Sequence, residues 1–73
     1  MEFPGYQRVI FNGQREYVAE GTSLFQFLQN HRFDLEWLIV EHNRRIVRPG
    51  FWDRTDLHDG DRIEVLTFSG EGI

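Results

Sequence analysis

Asn12-Gly13, directly behind the apolar run Val9-Ile10-Phe11, is the tightest local constraint in this chain. A two-residue hairpin turn needs positive φ at both central positions, which Asn tolerates and Gly adopts freely, so the dipeptide predicts a tight antiparallel hairpin. Its arms are expected from about Tyr6 to Phe11 and from about Gln14 to Val18. Met1 to Gly5, with Pro4-Gly5, reads as a loose leader.

Gly21 ends the second arm, and Thr22 is placed to cap a helix with its hydroxyl. Behind it, Leu24, Phe27, Leu28 and His31 recur at spacings of three and four, the single face of a helix that should end near Arg32. Phe25 lies off that stripe. Trp37-Leu38-Ile39-Val40 is a continuous apolar run of strand formers and reads as a central strand. Asn43-Arg44 reads as a turn into a short strand at Arg45-Ile46-Val47. Pro49-Gly50, then Phe51-Trp52 and Asp53 to Asp56, suggest a compact loop or one helical turn whose aromatics close the core. Asp59-Gly60-Asp61 turns the chain into the alternating strand Arg62 to Phe68, on which Ile63 and Val65 share a face. Ser69-Gly70-Glu71-Gly72-Ile73 is expected to be a mobile tail, since short glycine-bearing termini fray.

The order β-β-α-β-β-β suits an α+β architecture, a mixed sheet of four to five strands with one main helix on a single face. At 73 residues the chain makes one domain with a modest core, and its 15% aromatic content supplies large buried area per residue.

Composition removes several function classes. The net charge is −4 and every basic residue is Arg, which argues against the dense cationic face that nucleic acids require. Arg44, Arg45 and Arg48 form a local basic cluster, read as a solvated turn or as a docking spot for an acidic partner. With no cysteine, disulfides, thiolate metal sites and a Cys nucleophile are excluded. No apolar run approaches the roughly 20 residues of a membrane helix, and no signal-peptide pattern opens the chain, so a soluble, cytoplasmic protein is expected. His31, His42 and His58 fall in different elements and match no metal spacing. The acidic stretch Asp53, Asp56, Asp59 and Asp61 lacks the order of a calcium loop, and its last two members are explained by turn chemistry. Neither a phosphate loop nor a nucleophile arrangement is visible; an enzyme is the weakest reading, and no bound cofactor or metal is expected.

From end to end the chain resembles the ThiS/MoaD family of ubiquitin-like, β-grasp sulfur carriers, and its thiamine branch above all. The resemblance rests on Asn12-Gly13, Gly21-Thr22, Val40-Glu41-His42-Asn43, Ile46-Val47 with Arg48-Pro49, Trp52, Leu57, Asp59-Gly60-Asp61, Ile63-Glu64 and Phe68, in that order. It implies that the first and last strands lie side by side in the middle of the sheet. His42 stands where an aliphatic residue is common and reads as a partly buried strand residue.

The resemblance also implies a chemistry. Family carriers end in Gly-Gly; a ubiquitin-activating-type enzyme adenylates the terminal carboxylate with ATP, and a persulfide then displaces AMP to leave a thiocarboxylate. Glycine suits this because no Cβ obstructs threading into the partner's active site. Here the threading segment is Gly70, Glu71, Gly72 and Ile73, which departs from Gly-Gly. The implied acceptor is Gly72 once a tail-processing protease has removed Ile73. The other readings are a tail used with Ile73 in place and a chain that only binds partners. The implied sulfur acceptor is thiazole synthase. The alternatives are an enzyme of molybdopterin, cysteine, methionine or siderophore synthesis, or, for a non-carrier β-grasp module, no acceptor at all.

Alternation also suggests a docking surface. If Ile63, Val65 and Val40 face the helix, then Ile39, Leu66 and Phe68 form an apolar patch on the open sheet face, suited to a protein partner. The alternative is that the leader, with Phe3 and Tyr6, folds over them.

Overall fold

The computed structural model describes residues 5–68. The leader expected at residues 1–4 and the tail expected at residues 69–73, with Gly70, Glu71, Gly72 and Ile73, lie outside the described residues.

The hairpin forms where Asn12-Gly13 demands it. β1 (Tyr6–Phe11) and β2 (Gln14–Ala19) pair in antiparallel register from Tyr6↔Ala19 to Phe11↔Gln14, with Asn12 at φ 47° and Gly13 at φ 85°. The helix α1 (Leu24–Asn30) follows, buried through Leu24, Phe27 and Leu28 as its spacing predicts. Its N-cap is Ser23 rather than Thr22. Ser23 Oγ accepts from the Gln26 amide (3.1 Å), and Gln26 Oε1 accepts from the Ser23 amide (3.0 Å), a reciprocal capping box. Thr22 is drawn off this duty because its carbonyl accepts from the Leu57 amide (3.0 Å), where the chain bridges to residues 55–57. The helix stops two residues before Arg32, whose φ of 62° reverses the chain. Arg32 N–H returns to Gln29 O (2.9 Å) and Phe33 N–H to Leu28 O (3.5 Å), which satisfies two carbonyls of the last turn.

Trp37 does not join the strand predicted for it. A 3₁₀ turn (Leu35–Trp37) opens on Asp34, whose carboxylate accepts from the Glu36 amide (3.1 Å), and β3 runs Leu38–His42. Local capping at Asp34 outcompetes the strand tendency of the apolar run. β4 shortens to Arg45–Ile46. A second 3₁₀ segment (Pro49–Arg54) buries Trp52, whose indole N–H donates to Val47 O (2.8 Å), while Phe51 is exposed and closes nothing. β5 spans Arg62–Thr67.

The five strands form one mixed sheet in the order β2-β1-β5-β3-β4. β1 and β5 run parallel side by side, β5 and β3 antiparallel, so β5 is central and β3 is flanked on both sides. Val9, Val40 and Ile63 project from adjacent strands to one face and pack with Leu24, Phe27 and Leu28 of α1, with Trp52 and Leu57 closing the end. Each such side chain contributes roughly 1.5–3 kcal/mol by leaving water. Around Phe27, the rings of Phe11 (5.1 Å, edge-on) and His31 (4.6 Å) extend the core, and His31 Nε2 bonds Glu16 of β2. His31 thus ends the apolar stripe by tying helix to sheet.

Candidate functional site

With α1 covering one sheet face, the side chains that alternate away from it line the other. Register decides which meet. Ile39 of β3 stands directly opposite Leu66 of β5, and Val40 opposite Val65. Phe68, one step beyond β5, is anchored by its amide to Trp37 O (2.8 Å). The structure therefore brings Ile39, Leu66 and Phe68 together at the end of the central strand. They are 40%, 58% and 46% exposed, an unusual state for three large apolar side chains of a small domain. Tyr6 is itself mostly exposed and covers nothing there; Phe3 lies outside the described residues.

Two features of this surface escaped the sequence reading. Trp37, displaced into the 3₁₀ turn and half exposed, borders Phe68 through the same backbone bond. The only hint was a tryptophan at the edge of an apolar run, which periodicity assigned to the strand. The second is a pair of carboxylates. Glu41 and Glu64 are cross-strand partners, two register steps from Ile39 and Leu66 and so on the same face, and all four line a shallow groove of about 250 Å³. Like charges directly opposite each other cost stability in a sheet. Nothing in either strand read alone signals the pairing, because it exists only once β3 and β5 are in register.

The opposite end of β5 is held by polar contacts. Asp61 is nearly buried; it accepts from His42 Nε2 (2.7 Å), the His58 amide (2.8 Å) and Asn43 Nδ2 (3.1 Å). Burial by itself would raise the Asp61 carboxyl, but the bonds from His42, Asn43 and the His58 amide together outweigh it and hold the group below its ordinary 3.8. His42 is thus the partly buried strand residue expected of it. Among the described residues, no group of three His, Asp or Glu side chains converges as metal ligands would. No helix of the described structure is long and apolar enough to cross a membrane.

Comparison with known proteins gives this arrangement its context. The ThiS family model matches residues 1–70. A thiamine biosynthesis protein (ThiS) from Geobacter metallireducens superimposes with a TM-score of 0.78 at 29% identity, over 90% of this chain and 100% of that one. The uncharacterized protein ycf40 of Trieres chinensis is 30% identical over 61 residues, 84% of each chain. A thiazole synthase of Magnetococcus marinus is 32% identical over 65 residues, 89% of this chain but only 20% of that much longer protein. Family model and fold agree, and this chain belongs to the ThiS family, whose members are small sulfur carriers and not enzymes.

Proposed function

We propose that this chain carries sulfur for the thiazole moiety of thiamine, with its C-terminal segment as the acyl donor and the open sheet face as the docking surface. The observation that carries the reading is the exposed Ile39–Leu66 pair beside Phe68, at the end of the strand from which the tail segment continues in sequence. A partner seated there has the functional terminus within a few residues' reach. The family match supports the carrier role. The similarity to a stretch of a protein named thiazole synthase supports that enzyme as the sulfur acceptor.

In this reading a ubiquitin-activating-type enzyme docks on Ile39, Leu66 and Phe68 and draws in Gly70, Glu71 and Gly72. The terminal carboxylate attacks the α-phosphorus of ATP, releasing pyrophosphate. The terminal sulfur of a persulfide then attacks the acyl carbon and AMP leaves. Thiol reduction of the resulting S–S bond frees the thiocarboxylate. Gly72 is the acceptor after a protease removes Ile73, because a β-branched terminal side chain crowds the acyl carbon that sulfur must approach.

The test incubates the full chain, and a form ending at Gly72, with ATP, the adenylating enzyme and a persulfide donor, followed by intact-mass measurement. An oxygen-to-sulfur mass shift on the shorter form alone is the expected outcome. A shift on the full chain as well removes the protease step. No shift on either form overturns the carrier reading.

A further inference from the structure

The basic cluster around β4 is not absorbed by the carrier chemistry. Four of the eight arginines (Arg44, Arg45, Arg48 and Arg54) fall within eleven consecutive residues of a chain whose net charge is −4. Among the described residues none of the four is in a salt bridge; the two ion pairs there, Glu16–His31 and Asp61–His42, both use histidine. Arg45 and Arg48 line a cleft of about 410 Å³ together with His42, Ile46, Val47 and Phe51. Ile46 and Phe51 are 68% and 54% exposed, so the cleft offers apolar surface between two cations. Its floor is fixed by the Trp52 indole bond to Val47 O (2.8 Å), which ties the 3₁₀ segment to the strand edge. β4 is also the outermost strand of the sheet, with one flank unpaired in the described structure.

We propose that this cleft binds an extended acidic segment of a protein partner, two carboxylates meeting Arg45 and Arg48 and an apolar side chain between them resting on Ile46 and Phe51. Charge complementarity selects the class, because guanidinium forks pair with carboxylates and the cleft floor accepts aliphatic surface. An open strand flank beside it suits an extended backbone. Nucleic acid fits less well, since four arginines against a net negative chain give a spot rather than a track. The site uses neither the tail nor Ile39, Leu66 and Phe68, so its failure and that of the carrier reading are separate.

The test is fluorescence anisotropy with the full chain and a labelled peptide of four glutamates around one leucine, against the same peptide with glutamines and against a single-stranded RNA oligonucleotide. Saturable binding of the glutamate peptide is expected, at least tenfold tighter than the glutamine peptide and weakened by salt. Arg45→Glu combined with Arg48→Glu should lose that binding, and Arg15→Glu combined with Arg62→Glu should keep it. Amide chemical shifts of the unaltered chain should move at residues 42–55, a readout independent of whether the variants fold. Tighter binding of RNA, equal loss in both double variants, shifts centred elsewhere, or no saturable peptide binding would each overturn the proposal.

Discussion

Asn12 and Asn43 hold the central strand from its two sides in the same way. Each occupies the first left-handed position of a hairpin turn, at φ 47° and φ 51°. Each turns its side-chain oxygen onto an amide of β5, Asn12 Oδ1 to Val65 N–H and Asn43 Oδ1 to Arg62 N–H, both at 2.8 Å. Each also donates its own backbone N–H to the strand, Asn12 to Ile63 O (2.9 Å) and Asn43 to Arg62 O (2.8 Å). The residue type chosen for turn geometry therefore also joins hairpins that are distant in sequence.

Replacing either asparagine with glycine separates these roles. Glycine keeps the turn but removes the side-chain bond, so Asn12→Gly and Asn43→Gly should each destabilise by about 1 kcal/mol in urea unfolding. The Asn43 variant should lose somewhat more, because its Nδ2 donates to the Asp61 carboxylate (3.1 Å) whereas Asn12 Nδ2 donates to the neutral Val65 carbonyl (3.4 Å). No loss in either variant would mean that water replaces these bonds at no cost.

Asp61 gives the fold an acid limb. Its carboxyl is held below the ordinary 3.8, so its contribution is fully present above that value and disappears as pH falls through the lower native value. Asp61→Asn should cost about 1–3 kcal/mol near neutral pH. The gap between variant and parent should narrow as pH drops below about 4, read from urea midpoints across a pH series. A gap independent of pH would remove the carboxylate as its source.

Phe68→Asp tests the docking face. Phe68 is about half exposed and lies outside the buried core, so the folded stability should change by less than about 0.5 kcal/mol. Affinity for the adenylating enzyme should fall at least tenfold, with Leu66→Asp behaving alike, in isothermal titration. A collapsed fold would place Phe68 in the core instead.

Arg44 occupies the second left-handed turn position, at φ 72°, where glycine is the unstrained choice. Arg44→Gly should raise stability by about 0.5–1 kcal/mol, measured by denaturant midpoint. An unchanged midpoint would mean that the arginine side chain returns in contacts what its backbone costs.

Much of the architecture was legible because its signals are local. Asn12-Gly13 and Asp59-Gly60 set turns by φ preference alone, and Leu24, Phe27 and Leu28 announce a buried helix face through spacing. The errors were also local, each a competition between neighbours that the tertiary structure decided. Ser23 displaced Thr22 as the cap because Thr22's carbonyl was taken by Leu57, although Ser-x-x-Gln was already a readable capping box. Trp37 left its strand because Asp34 starts a turn beneath it.

By itself the sequence determined the main elements, their order, the inward faces of α1, β3 and β5, and the apolar character of Ile39, Leu66 and Phe68. Only the tertiary structure decided who faces whom. It set Ile39 against Leu66, placed the like-charged Glu41 and Glu64 side by side, and gathered Arg45, Arg48 and Phe51 around one cleft. The reason is physical: backbone periodicity is fixed within a few residues, whereas the register between strands some twenty-five residues apart is fixed by how Val40 and Ile63 fit beneath α1.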